Sequence, residues 1–321
     1  MAGRKRVGTM RRMPPCQRVH LVRALVVALA LAGCGDRGQG AVGGAALSAV
    51  QAGEARALDE VLAEAGLTRA EVTVIRDRAE FPLPFVLRTR LVADRREAAP
   101  DRRGAGIGRR PLVLVEGDRV TGLALPGARR VDAAKLRGLG ALAFLDLDGA
   151  ALANAAELGG LGGLVYADLS RTGLEDLTPL TRLPALRALV AVKTKVRAVP
   201  SLGATLELVD LSYGEIAELP SGGARLEVLT LTGNRVSSLR SAGLPALTSL
   251  TLDENRVDEI VGLEAYPKLG ALSLAGNRVR AVPDLAPGFR YLSLEGNPVP
   301  HDPGTMAHVN ALRARGVLLT L

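Results

Sequence analysis

The stretch LEVLTLTGNRV, residues 226–236, decides the fold. Its recurring apolar positions are Leu226, Leu229, Leu231 and Val236, with Asn234 before the last and a further apolar residue at Val228. The middle alternates like a short strand, and Gly233-Asn234 then marks a turn. The same arrangement returns as LTSLTLDENRV from Leu247, LGALSLAGNRV from Leu269 and FRYLSLEGNPV from Phe289. Upstream it reads LELVDLSYGEI from Leu206, LRALVAVKTKV from Leu186, LVYADLSRTGL from Leu164 and LAFLDLDGAAL from Leu142. A degenerate copy, VTGLALPGARR, starts at Val120. The start-to-start steps are 22, 22, 22, 20, 20, 21, 22 and 20 residues. A period that constant means stacked units, each too small to bury its own apolar face.

These copies resemble leucine-rich repeats of the form L-x-x-L-x-L-x-x-N-x-L. Leu174-Glu175-Asp176-Leu177-Thr178-Pro179-Leu180 is similar to the return segment of short, internalin-like bacterial repeats. The resemblance implies an α/β solenoid over residues 112–300. It implies a curved right-handed stack, with short parallel strands on the concave face and a C-terminal cap. Units this short leave no room for a full helix, so the convex side is expected to use 3₁₀ or extended segments. Asn234, Asn255, Asn277 and Asn297 form an expected ladder that satisfies buried backbone groups of neighbouring turns. Ala150, Thr172, Thr194 and Gly214 take that place earlier, which points to a looser N-terminal half. Residues 301–321 contain an expected helix over Thr305–Arg315 and the apolar VLLTL, suited to capping the last turn.

Composition fits a layered stack. Apolar residues make up 48% of the 321-residue chain, yet aromatics only 2%. The net charge of +8 suggests nucleic acid until it is divided. Residues 1–33 hold seven basic residues and no acidic ones. Removing those seven from 41 leaves 34 basic residues against 33 acidic ones. The remainder lacks the excess that phosphate neutralisation needs, so nucleic acid is excluded as a partner.

The basic leader runs into Ala24-Leu25-Val26-Val27-Ala28-Leu29-Ala30-Leu31-Ala32. Nine residues cover about 14 Å of helix, half of a ~30 Å hydrocarbon core. That is the length of a secretory h-region, not of a span. Leu31-Ala32-Gly33-Cys34 resembles the lipobox of a bacterial lipoprotein signal peptide. The resemblance implies lipidation of the Cys34 thiol, removal of residues 1–33 and a lasting anchor made by several acyl chains. Met1, Met10 and Met13 are alternative starts. Cys16 falls within the leader, so no disulfide is expected in the mature chain. Residues 34–45 read as a Gly-rich tether. Residues 46–111 read as an N-terminal cap or linker region with one helix ending at Gly66 and short strands near 72–75 and 85–87.

In a parallel stack, equivalent residues form columns about 4.8 Å apart. The position between the second and third Leu gives Ala124, Asp146, Asp168, Val190, Asp210, Thr230, Thr251, Ser273 and Ser293. Two positions earlier stand Gly122, Phe144, Tyr166, Ala188, Leu208, Val228, Ser249, Ala271 and Tyr291. Asp148 lies just beyond, and Tyr213 lies near the rim. Phe144, Asp146, Asp148, Tyr166, Asp168, Val190, Leu208, Asp210, Tyr213 and Val228 are therefore the candidate partner-binding residues. An apolar strip flanked by carboxylates suits a protein or peptide with apolar and cationic side chains. A second column, Arg235, Arg256 and Arg278, reads as solvated or locally paired.

Catalytic motifs are missing. The chain has no G-x-S-x-G, H-E-x-x-H or P-loop pattern. Gly138–Ala143 imitates a dinucleotide loop, but the repeat phase leaves no room for a βαβ unit. Asp146-Leu147-Asp148-Gly149 lacks the further ligands of a calcium loop. His301 and His308 read as surface residues of the cap. The expectation is a non-enzymatic interaction scaffold without metal or cofactor, lipid-anchored in a bacterial cell envelope. A carbohydrate or cell-wall binder, using the Ser/Thr columns and Tyr291, is the alternative.

Overall fold

A computed structural model describes residues 41–42, 47–82, 110–240 and 244–321. Cys34, the leader, most of the expected tether and the strand expected near 85–87 lie outside the described residues. Within them the chain is a solenoid of parallel strands, about eight turns long.

Each repeat contributes one three-residue strand. In chain order these are β6 (Phe144–Asp146), β8 (Tyr166–Asp168), β9 (Ala188–Val190), β10 (Leu208–Asp210), β11 (Val228–Thr230), β12 (Ser249–Thr251), β13 (Ala271–Ser273) and β14 (Tyr291–Ser293). All pair in parallel with equivalent residues opposite one another, as in Phe144 with Tyr166 and Asp146 with Asp168. The central residue of each strand points into the stack. Leu145, Ala167, Leu189, Val209, Leu229, Leu250, Leu272 and Leu292 are all buried there. The return side is irregular apart from short pieces: a parallel pair of two-residue strands, β5 (Val131–Asp132) and β7 (Leu152–Ala153), helical turns at Ala133–Leu136 and Thr178–Thr181, and 3₁₀ turns at Ala155–Gly160 and Leu263–Ala265. Leu174, Leu177 and Leu180 are buried in the segment that resembled an internalin-type return.

The sheet does not stop at the repeats. The degenerate copy forms β4 (Arg119–Ala124), which pairs with β6 and makes an antiparallel hairpin with β3 (Leu112–Glu116). Beyond β3 lie β2 (Thr73–Ile75) and β1 (Ala41–Val42). The strand β1 is a departure from the expected flexible tether, because Ala41 and Val42 pair with Val74 and Thr73. Pairing satisfies backbone groups that a Gly-rich leash leaves to water.

Helix α1 (Ala52–Ala65) buries Leu58, Val61, Leu62 and Ala65 against the stack. It ends at Gly66, whose left-handed φ of 77° turns the Leu67 N–H back onto the Leu62 carbonyl at 2.8 Å. Glu54 ties α1 to the solenoid. Its buried carboxylate accepts from Arg119 Nε and from the Val120 N–H, each at 2.8 Å. At the other end, α2 (Pro303–Ala314) starts on Asp302, which accepts from the N–H groups of Gly304 and Thr305. The expected apolar cap segment becomes a strand, β15 (Leu318–Thr320), added in parallel to β14. No helix among the described residues is long and apolar enough to cross a membrane.

Candidate functional site

The Asn ladder is built by side chains that bridge turns. Asn255 Oδ1 accepts from the Val236 N–H, while its Nδ2 donates to the carbonyls of Leu231, Leu252 and Asp253. Asn234, Asn277 and Asn297 repeat this scheme. Thr172 and Thr194 substitute for only part of it. Their hydroxyls donate to Leu169 and Ala191 within the same turn, with no reach to the turn before. The ladder is structural, and it fixes the pitch on which the columns of the sheet stand.

The column facing away from the Leu stack departs from the expected open strip. Phe144 and Tyr166 are each only 1% exposed, and Leu208 is buried too. A second apolar core causes this. Ile75, Phe81 and Leu114 gather with Ala124, Phe144, Tyr166, Ala188 and Leu208 on that side of the sheet. The Phe81 ring stands 5.6 Å from the Phe144 ring. Gly122 makes room for it: a Cβ there would lie 2.8 Å from Phe81 Cε2. Arg78 completes the cover, with its guanidinium 5.2 Å from the Phe144 ring centroid and a bond of 2.9 Å to Glu116. The expectation of exposed aromatics took strand alternation as a sign of solvent contact. Alternation assigns a residue to a face and leaves open what covers that face.

The acidic column is also corrected. Asp146, Asp148 and Asp168 are buried, and Asp210 is half-buried. Asp146 Oδ1 accepts from the Asp148 N–H at 3.0 Å, and Asp168 Oδ1 accepts from the Ser170 N–H at 3.0 Å. Asp210 Oδ1 takes the Ser212 N–H and hydroxyl. Each carboxylate closes the turn that follows its own strand, a short-range bond typical of aspartate. Asp148 instead grips Arg171 through two bonds, at 2.7 and 2.6 Å. Asp146 and Asp168 are neighbours in register, as the spacing required, but their carboxylates serve the backbone.

What stays accessible is a smaller patch further along the stack. Val190 and Val228 are half-buried, as is Asp210, which pairs in register with both Val190 and Thr230. Tyr213, at the rim, is 37% exposed. A feature hidden in the sequence stands beside it. The residue before the ladder position is left-handed in every turn, and glycine fills it at 149, 233, 276 and 296. Arg171, Lys193, Tyr213 and Glu254 hold the same conformation with φ of 57°, 56°, 61° and 56°. A Cβ in that region costs about 1 kcal/mol or more. The repeat alignment was the available signal, since it places three side chains in consecutive glycine slots.

Elsewhere the surface offers little chemistry. Arg235 pairs with Glu215 at 3.4 Å, so that column is at least partly self-neutralised. A shallow groove of about 280 Å³ on the return side is lined by Leu152, Ala155, Thr172, Gly173, Asp176 and Pro179. Its polar side chains are engaged with the backbone: the Thr172 hydroxyl donates to the Leu169 carbonyl, and Asp176 Oδ1 accepts from the Thr178 N–H. His308 lies 3.2 Å from the Pro283 carbonyl, and no cluster of metal-ligating side chains occurs among the described residues.

No family model matches the chain. No curated protein matches it either. Among solved structures it is similar to an internalin (inlF) from Listeria monocytogenes, at 15% identity and a TM-score of 0.34. That similarity covers 64% of this chain and 84% of the internalin chain.

Proposed function

We propose that the chain is a non-catalytic protein-interaction scaffold, held at a bacterial envelope membrane by lipidated Cys34. The partner is a protein or peptide that lays apolar and cationic side chains along the sheet. The observation that carries this reading is the accessible patch Val190, Asp210 and Val228 on three consecutive strands, with Val190 and Asp210 in register and Val228 two residues before Thr230, the partner of Asp210. Apolar side chains next to a carboxylate, on a rigid ladder, form the kind of surface that protein interfaces use. The leader and lipobox-like sequence add the anchor, which raises the local concentration of whatever the patch binds. Phe144, Asp146, Tyr166 and Asp168 contribute by holding the covered part of the sheet that backs this patch.

The test is cross-linked capture from native envelopes with the full chain and a Val190→Lys, Val228→Lys variant. Both positions are half-buried, so lysine stems fit while their heads reach water. A protein held by the wild type and lost from the variant supports the reading. Equal capture by both removes the sheet patch as the site.

A further inference from the structure

Arg171, Lys193 and Tyr213 occupy the left-handed slot in three consecutive turns, where the stack elsewhere mostly uses glycine. Glycine is the least costly residue at that slot. Side chains kept there in spite of the strain mark a place with a task beyond folding. The three are also organised. Arg171 is committed to Asp148 through both arms of its fork. The Tyr213 ring lies over Gly233, where an added Cβ would come within 2.5 Å of ring carbon Cδ1. Lys193 Nζ stands 5.7 Å from the centre of the same ring. The result is an exposed ammonium fixed beside an exposed aromatic, at the edge of the Val190–Val228 patch.

We infer that the Lys193–Tyr213 rim is a docking point for a carboxylate on a protein partner, in a segment whose apolar side chains rest on Tyr213 and the neighbouring sheet patch. This deepens the scaffold reading and rests on it. Charge complementarity selects the ligand: one ammonium offers a point charge to a carboxylate. The guanidinium fork that grips a phosphate from two sides is occupied by Asp148. The ring excludes water from one side of the ion pair, and this strengthens the pair.

Glycine substitution gives a clean test, because it deletes each side chain while suiting the backbone. Fluorescence anisotropy on the full chain in detergent would use three labelled ten-residue probes, alternating Leu with Glu, Lys or Ser. The Glu probe is expected to bind at least tenfold tighter than the Ser probe at low salt. Lys193→Gly should abolish that preference with a melting temperature equal to or above wild type. Tyr213→Gly should weaken both the Glu and Ser probes, and the Glu probe more, because the ring also shields the ion pair. A Glu preference that survives Lys193→Gly overturns the rim assignment, and so does the absence of any Glu preference. Binding of the Lys probe alone overturns the rim while leaving the sheet-patch reading intact. Loss of envelope capture in the Val190→Lys, Val228→Lys variant reports on that reading separately.

Discussion

The Phe81 ring rests 5.6 Å from the Phe144 ring, so a residue before the first repeat covers a strand within the repeats. The contact joins two regions that the sequence separates into cap and solenoid. It turns the N-terminal region from an end plate into a wrap around the first strands. Phe81 is fully buried there, with Gly122 beneath it and Leu114 alongside.

Phe81→Ala is expected to cost about 3–5 kcal/mol, the usual range for truncating a buried aromatic. Urea unfolding would measure it. Hydrogen exchange should show lost protection at β6 and β8 before the distal strands. A loss below about 1 kcal/mol would mean that the second core is not closed in solution.

Asn255→Ala should cost about 2–4 kcal/mol. It leaves the Val236 N–H and the carbonyls of Leu231 and Leu252 without that partner in a buried setting. Thr194→Ala should cost about 1 kcal/mol, because it gives up a single bond to Ala191. Parallel denaturation curves check the ranking. Equal costs would show that the ladder does not bridge turns.

The pattern L-x-x-L-x-L carried the fold because its information is local: the period places each Leu, and the ladder Asn announces each turn. The second core was illegible for a physical reason. Phe144 and Tyr166 sit where alternation directs them, but their cover comes from Ile75, Phe81 and Leu114, distant in sequence and outside any repeat. Asp146 and Asp168 misled in the same way. Their i to i+2 bonds were readable as aspartate turn chemistry, whereas the columns drew attention to neighbouring strands. The left-handed slot was half-visible: the repeat alignment sets Arg171, Lys193 and Tyr213 against glycine, but only the backbone gives the sign of φ.

Stability should fall in acid partly through Glu116. Burial pushes its carboxyl up, but the bonds from Arg78 and Thr121 outweigh this and hold it below the ordinary value of 4.5. A carboxyl depressed in the folded state stabilises above its unfolded pKa. That contribution is lost as pH falls from about 4.5 through the lower folded value. Glu116→Gln should therefore flatten the decline of stability below pH ~4.5 relative to wild type. Urea midpoints between pH ~3 and ~6 check it, and an identical decline in both proteins would remove Glu116 as a contributor.

Cys34→Ala tests the anchor. If Cys34 carries acyl chains, their loss removes a membrane affinity of about 0.8 kcal/mol per buried CH₂, and the protein should leave the membrane fraction. Mass spectrometry of the wild type should show acylated Cys34 at the mature N-terminus. A Cys34→Ala chain that is cleaved and still sediments with membranes would point to another attachment.

The left-handed slot gives a paired prediction with opposite signs. Gly276 has a φ of 67°, and a Cβ there would meet nothing closer than 3.6 Å. Gly276→Ala therefore adds backbone strain without a clash, and should cost about 1 kcal/mol even after the entropy that alanine removes from the unfolded chain. Glu254 holds φ of 56° one turn earlier, so Glu254→Gly should stabilise by up to about 1 kcal/mol. Differential scanning calorimetry of the two variants separates conformation from contacts. If both destabilise, the Glu254 side chain makes an interaction worth more than its strain. If both are neutral, the slot tolerates either hand, and the argument that Arg171, Lys193 and Tyr213 are held there against a cost would fail with it.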